Sequence, residues 1–177
     1  MKKLLTFLAS LFLVGALAAC EEDTSLPTPL ALTNEAIGAY CGMILTEHAG
    51  PKAQVFEKHN PEPHWFTSVK DAITYLTLPG EAQDAVATYV HDMARADSWE
   101  RPQNDGIWID IRQAYFVVGS RMKGGMGMPE FVPFGLLEKA NEFADQHGGR
   151  VVRLSEITNE DLELAHVQTS DGPVSKE

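Results

Sequence analysis

The residues best equipped for chemistry in this chain are sulfur donors, and they fall in two places. Tyr40-Cys41-Gly42-Met43 sets a thiol and a thioether two residues apart. SRMKGGMGMPE, Ser120 to Glu130, gathers Met122, Met126 and Met128 within seven residues, interleaved with three glycines. Thiolate and thioether are soft donors, which select Cu(I) over hard cations. On an extended strand, side chains at i and i+2 point to the same side. Gly42 adds backbone freedom to turn both sulfurs toward one ion. Met126, between Gly125 and Gly127, is placed to supply a third sulfur, and three soft ligands suit the low coordination number of Cu(I). Met122, Met128 and the nitrogen of His48 are further candidates. Each half has a plainer reading: a chance Cys-x-Met, and a methionine loop that serves as an adaptable apolar contact surface. Met93 reads as core packing on a helical stripe. His59 and His64 flank Asn60-Pro61-Glu62-Pro63 and read as loop residues. His91 falls on an expected helix, and His147 at a helix end, where its charge suits the dipole. No Cys and His cluster has the short spacings of a closed zinc site.

The N-terminus reads as an export signal over residues 1–19. Lys2 and Lys3 precede an apolar run too short to span a bilayer comfortably, and Leu17-Ala18-Ala19-Cys20 has the form of a lipobox. Cys20 would then be the lipidated first residue of the mature chain, with acyl groups enough for stable anchoring. Glu21 and Glu22 follow it, with no Asp directly after the cysteine, as in lipoproteins sorted to an outer membrane. Loss of Lys2 and Lys3 takes the charge from 14 − 25 = −11 to 12 − 25 = −13. So acidic a chain will not grip nucleic acid or an anionic bilayer through its surface. Lipidation of Cys20 leaves Cys41 as the one remaining thiol of two. No intramolecular disulfide is then possible, and an unpaired thiol outside the cytoplasm needs either burial or a use.

These donors need elements to position them. Residues 20–37 read as a flexible tether with two prolines, and 166–177 as a flexible tail. Between them the pattern gives an α+β fold of two ββαβ units packed together, with an inserted helix between them. The first lobe covers 38–112 and the second 113–165. In the first, Cys41–Leu45 and Ala53–Lys58 read as strands. Ser68 and Asp71 cap a helix with Val69, Ala72, Ile73 and Leu76 on one face, stopped by Pro79-Gly80. The alternation of Ile107, Ile109 and Ile111 predicts a closing strand. Residues 81–96 read as the inserted helix, with Val86, Tyr89, Val90 and Met93 on one stripe. In the second lobe a strand, the methionine loop and a short apolar stretch lead to a helix. Its face is expected to hold Leu136, Leu137, Ala140 and Phe143, and Gly148-Gly149 stops it before a last strand.

At these residues the chain resembles the NosL family, the accessory lipoproteins of nitrous oxide reductase. The resemblance is carried by several motifs between residues 38 and 157, besides the lipobox. They are Y-C-G-M (40–43), H-A-G-P-K-A-Q (48–54), G-S-x-x-x-G-G-M-G-M-P-E-x-x-P-F (119–134) and A-D-Q-H-G-G-R-V (144–151). Family members often have Pro-Met-Gly where this chain has Gly125-Met126-Gly127, which aligns Met126 with the family methionine. The resemblance implies the paired ββαβ fold, which a mercury-carbon lyase shares, and Cu(I) bound by Cys41, Met43 and Met126. Met122, Met128 and His48 stay open as ligands. It implies a chaperone rather than an enzyme, on the periplasmic side and lipid-anchored. Copper would go to the copper-sulfide centre of nitrous oxide reductase with help from an ABC-type membrane assembly complex. Two other readings compete: an adaptor that docks its methionine loop on that complex with copper incidental, and a thiol-dependent enzyme related to organomercurial lyase.

Overall fold

The computed structural model describes residues 25–82, 84–102 and 105–167. The signal segment, Cys20 and most of the expected tail lie outside the described residues. Two antiparallel sheets carry the fold. The first unit runs β1 (Ala53–Glu57), β2 (His64–Phe66), α1 (Val69–Thr77) and β3 (Ala85–His91), with β4 (Trp108–Asp110) added at the edge. The second runs β5 (Tyr115–Val118), β6 (Val132–Phe134), α2 (Leu137–His147) and β7 (Arg150–Arg153), followed by α3 (Asn159–Val167). The strand orders are β2-β1-β3-β4 and β6-β5-β7. Each ββαβ unit therefore places its first strand in the middle, Ala53 opposite Val90 in one and Phe116 opposite Val152 in the other. The internal repeat is real, and the fold is α+β.

Its elements are displaced in the first copy. The inserted helix over 81–96 does not form: Ala85–His91 is β3, the central strand that completes the first unit. His91, expected on that helix, is therefore a strand residue. The helical stripe was misleading because β3 is covered on both sides. Val90 faces the main core, while on the other face Tyr89 donates its hydroxyl to Pro27 O (2.7 Å), and Gln54 of the neighbouring strand exchanges hydrogen bonds with the backbone of Leu30 (2.9 and 3.2 Å). A strand buried on both faces loses its period-two signal. The segment around residue 30, expected as tether, is thus laid on the sheet. His64, expected in a loop, is the first residue of β2.

The capping of α1 is as the sequence predicts: Ser68 Oγ accepts from Asp71 N at 3.3 Å, and Val69, Ala72 and Ile73 are buried. These meet Ala53, Val55, Phe66 and Val90 from the first sheet and Phe116, Val118, Phe131 and Val152 from the second in one shared core. Full burial of each Val, Ile or Phe among them contributes roughly 1.5–3 kcal/mol. Helix α2 covers the opposite face of the second sheet through Ala140, Phe143 and Ala144. Leu136 and Leu137, expected on that face, point to solvent at 61 % and 46 % exposure; Leu136 is the N-cap position, before the helix has turned. α2 ends at Gly148, whose N–H returns to Ala144 O. The sheets are tied by Met93 N to Pro133 O (2.9 Å) and Gly135 N to Asp92 Oδ1 (3.0 Å).

Candidate metal centre

Cys41 lies in a tight turn, not on the strand the sequence suggested. Gly42 N donates to Gly38 O (2.8 Å) and Gly38 N to Met43 O (2.9 Å). Gly42 takes a φ of +66°, which favours a residue without Cβ. The turn is fastened to β2 by Ala39 N to Trp65 O (2.7 Å), and Tyr40 packs edge-on against Phe66 and Tyr75. The Cys41 thiol is half-buried, with Sγ 3.5 Å from Thr67 Oγ1. Cys41 is only partly buried, so deep burial in the core does not account for it.

The methionine segment is a hairpin between β5 and β6. Lys123 pairs with Pro129, Gly124 N donates to Met128 O (2.9 Å), and Gly127 N returns to Gly124 O (2.9 Å). With Gly127 at φ +72°, this is the pattern of a type I turn closed by a G1 bulge. It leaves Gly125, Met126 and Gly127 as the loop, so Met126 is carried at the tip, 47 % exposed. Met122 and Met128 stand on the two sides of the hairpin, both half-buried. Met128 lines a cleft against Lys70, Asp71 and Leu78.

The chain that follows Met43 runs from the cysteine turn to the arm. After a short 3-10 turn, Leu45–Glu47, His48 meets the arm: its Nδ1 lies 3.2 Å from Gly125 O. Here the backbones are so close that a Cβ on Gly125 would stand 2.4 Å from His48 Cβ. Trp99 braces the other flank, accepting from Gly50 N at its carbonyl (2.7 Å) and donating its indole N–H to Lys123 O (3.2 Å). His48 thus acts as a strut for the arm through Nδ1, and its second ring nitrogen is not used by that contact. A second link runs below. Thr67, beside the Cys41 sulfur, is followed by Ser68, whose hydroxyl donates to Glu130 Oε1 (3.1 Å) at the root of the arm.

Glu130 was not singled out by sequence reasoning. It is 1 % exposed and its Oε1 also accepts from Lys70 N (3.1 Å) and Phe131 N (2.9 Å), while Oε2 has no partner. Burial pushes its carboxyl up to about 7, against the pull of those hydrogen bonds. Lys52, also buried, donates to Ala49 O (3.0 Å) and Gly50 O (2.5 Å) behind the strut; burial lowers its ammonium to about 8, with Glu130 opposing. His91 is buried against Trp108 and pushed down to about 3 by burial and then Lys52, so it is a neutral core residue. The available signal for Glu130 is an acid set directly before the apolar run Phe131-Val132-Pro133-Phe134. Among the described residues no group of three or more His, Cys, Asp or Glu is arranged to hold a metal, so the candidate donors are those in the cysteine turn, the arm and the strut between them.

A pair of ββαβ units sharing one core, with a thiol on a turn fastened to the first and a thioether at the tip of a hairpin in the second, defines an α+β protein. The chain belongs to the NosL family, whose sequence model matches residues 29–162. It is 40 % identical over 175 residues to the copper-binding lipoprotein NosL of Achromobacter cycloclastes, an overlap of 98 % of this chain and 90 % of that protein. It is 37 % identical over 155 residues to the copper-binding lipoprotein NosL of Stutzerimonas stutzeri, covering 86 % and 78 % respectively. The crystal structure of the copper chaperone NosL from Shewanella denitrificans superposes with a TM-score of 0.71 at 34 % identity, over 76 % of this chain and 98 % of that one.

Proposed function

We propose that this chain is a Cu(I) chaperone, lipid-anchored through Cys20 on the periplasmic side, at the outer membrane. It hands its ion to the copper-sulfide centre of nitrous oxide reductase by way of the ABC-type assembly complex. One observation supports it above the others: the chain that leaves the Cys41–Met43 turn touches the arm that carries Met126, His48 Nδ1 lying 3.2 Å from Gly125 O beside the arm's tip. Cys41, Met43 and Met126 are the ligands of this reading. Cys41 binds as the thiolate, the one anionic soft donor of the three. The thioethers are neutral and weaker, and Met126 stands at an exposed tip. An acceptor's ligands replace Met126 first and the thiolate last, and the ion is never released to water. Tyr40, half-exposed beside Cys41, gives the acceptor an apolar footing. No covalent bond of a substrate is made or broken, so the role is carriage rather than catalysis.

Competition with a chromophoric Cu(I) chelator tests this. Cys41→Ser is expected to abolish tight binding. Met126→Leu is expected to weaken it roughly 10- to 100-fold, the scale on which even residues that merely support metal ligands act, while the far-ultraviolet spectrum stays unchanged. Undiminished affinity in Cys41→Ser removes the proposal.

A further inference from the structure

The stretch between Asp23 and Glu35 carries no charged side chain, in a chain that is 22 % charged. Its described part crosses the outer face of the first sheet, where Gln54 and Tyr89 pair, away from the shared core. The polar backbone of this strap is turned to the sheet. Pro27 O accepts from the Tyr89 hydroxyl (2.7 Å), Leu30 N donates to Gln54 Oε1 (2.9 Å), and Leu30 O accepts from Gln54 Nε2 (3.2 Å). Further on, Asn34 Oδ1 accepts from Thr46 Oγ1 (2.8 Å), close after the cysteine turn. The leucine side chains are left outside: Leu26 is 49 % and Leu30 37 % exposed. Exposed leucines taken singly are ordinary. What covers these two follows from the length of chain before them. Cys20 and Ile37 are 37 − 20 = 17 residues apart, a reach of up to about 60 Å if all of it were free. With Pro27 held, the anchor is 27 − 20 = 7 residues from a fixed point, at most about 25 Å away.

We propose that residues 26–32 form a membrane-contact surface: the strap lies against the bilayer that holds the Cys20 lipids, Leu26 and Leu30 enter its headgroup region, and the outer face of the first sheet is turned to the membrane. The inference rests on the lipid anchor of the proposed function and not on copper. An uncharged strap is the part of a chain of net charge −11 that meets an anionic leaflet without repulsion. Both backbone groups of Leu30 are already bonded to Gln54, so they give up no water when the residue enters a less polar layer. The leucines then bury apolar surface that the fold leaves open. The cysteine turn follows the strap directly and is fastened to β2 of the same sheet. The contact therefore keeps that turn near the membrane surface, which suits an acceptor that is itself membrane-bound.

Paramagnetic relaxation tests the contact. The lipidated chain, isotope-labelled, purified from membranes and free of copper, is placed in phosphatidylcholine nanodiscs with and without a gadolinium-chelating lipid. Helix α2 packs on the second sheet's face away from the shared core, so it is the internal control. Successive layers of the fold are about 10 Å apart, and the paramagnetic effect falls with the sixth power of distance, so the amides of residues 26–32 should relax at least about tenfold faster than those of α2. The double variant Leu26→Asp with Leu30→Asp changes only exposed side chains. It should keep a dispersed spectrum and stay in the disc, and the contrast should be lost. Equal relaxation of strap and α2, faster relaxation of α2, or a contrast that persists in the double variant overturns the proposal. The mass of the N-terminal peptide separates the two readings. An acylated Cys20 with equal relaxation refutes the contact alone, and a mature N-terminus without acyl groups refutes the anchor and the contact with it.

Discussion

Replacing Glu130 by Gln tests the electrostatics under the arm. Glutamine keeps an oxygen for Ser68, Lys70 and Phe131 and removes the charge. In the wild type the folded carboxyl titrates at about 7 and an unfolded one near 4.5. Between those values the folded chain holds a proton that the unfolded chain has lost, so stability falls as pH rises from about 4.5 and levels off above about 7. At roughly 1.4 kcal/mol per tenfold change in proton affinity, the decline between pH 5 and pH 8 is about 2–3 kcal/mol. Glu130→Gln lacks it. His91, pushed down to about 3, and Lys52, to about 8, contribute the opposite slope, stability rising with pH over about 3–6.5 and 8–10.5. Both are present in either chain and cancel to first order in the comparison. The assay is urea unfolding of both proteins at pH 5, 6, 7 and 8. The variant should gain on the wild type by about 2–3 kcal/mol across the series. Parallel profiles would show that Glu130 is ionised at pH 5 in the folded protein, and would refute the claim that burial holds its proton.

Other perturbations probe the frame of the site. Ser68→Ala removes the cap of α1 and one bond to Glu130 together and should cost about 1–2 kcal/mol in chemical denaturation. Gly125→Ala places a methyl where His48 Cβ and Ala49 O already stand. It should lift the arm from its strut, cost about 1–3 kcal/mol, and weaken Cu(I) binding in the chelator competition with Cys41 intact.

The second unit was legible nearly element by element, because β5 and β6 bracket a glycine loop and α2 ends on Gly148-Gly149. The first was not, and the reason is local. Val86, Tyr89, Val90 and Met93 fit a helical stripe, and only the strand's cover on both faces explains why no alternation contradicts it. The Cys41 turn was misread as a strand because the reversal rests on Gly42 and on hydrogen bonds closing at Gly38, none of which periodicity reports. α3 went unread although Thr158 and Asp161 form a reciprocal cap, Thr158 N to Asp161 Oδ2 (2.8 Å) and Asp161 N to Thr158 Oγ1 (3.3 Å). The sulfur residues themselves stood out by type and spacing. The residues that hold their segments together, His48 as strut, Trp99 as brace and Glu130 as root, make contacts with partners 24 to 77 positions away in sequence, where no window reaches.

The arm has a topological twin. In the first unit the connection between β1 and β2 is Lys58-His59-Asn60-Pro61-Glu62-Pro63, without a sulfur atom. The architecture is doubled but the donors are not. On the proposed reading the two donor segments make one shared site per molecule, and a fragment holding either unit alone would hold only part of its ligand set.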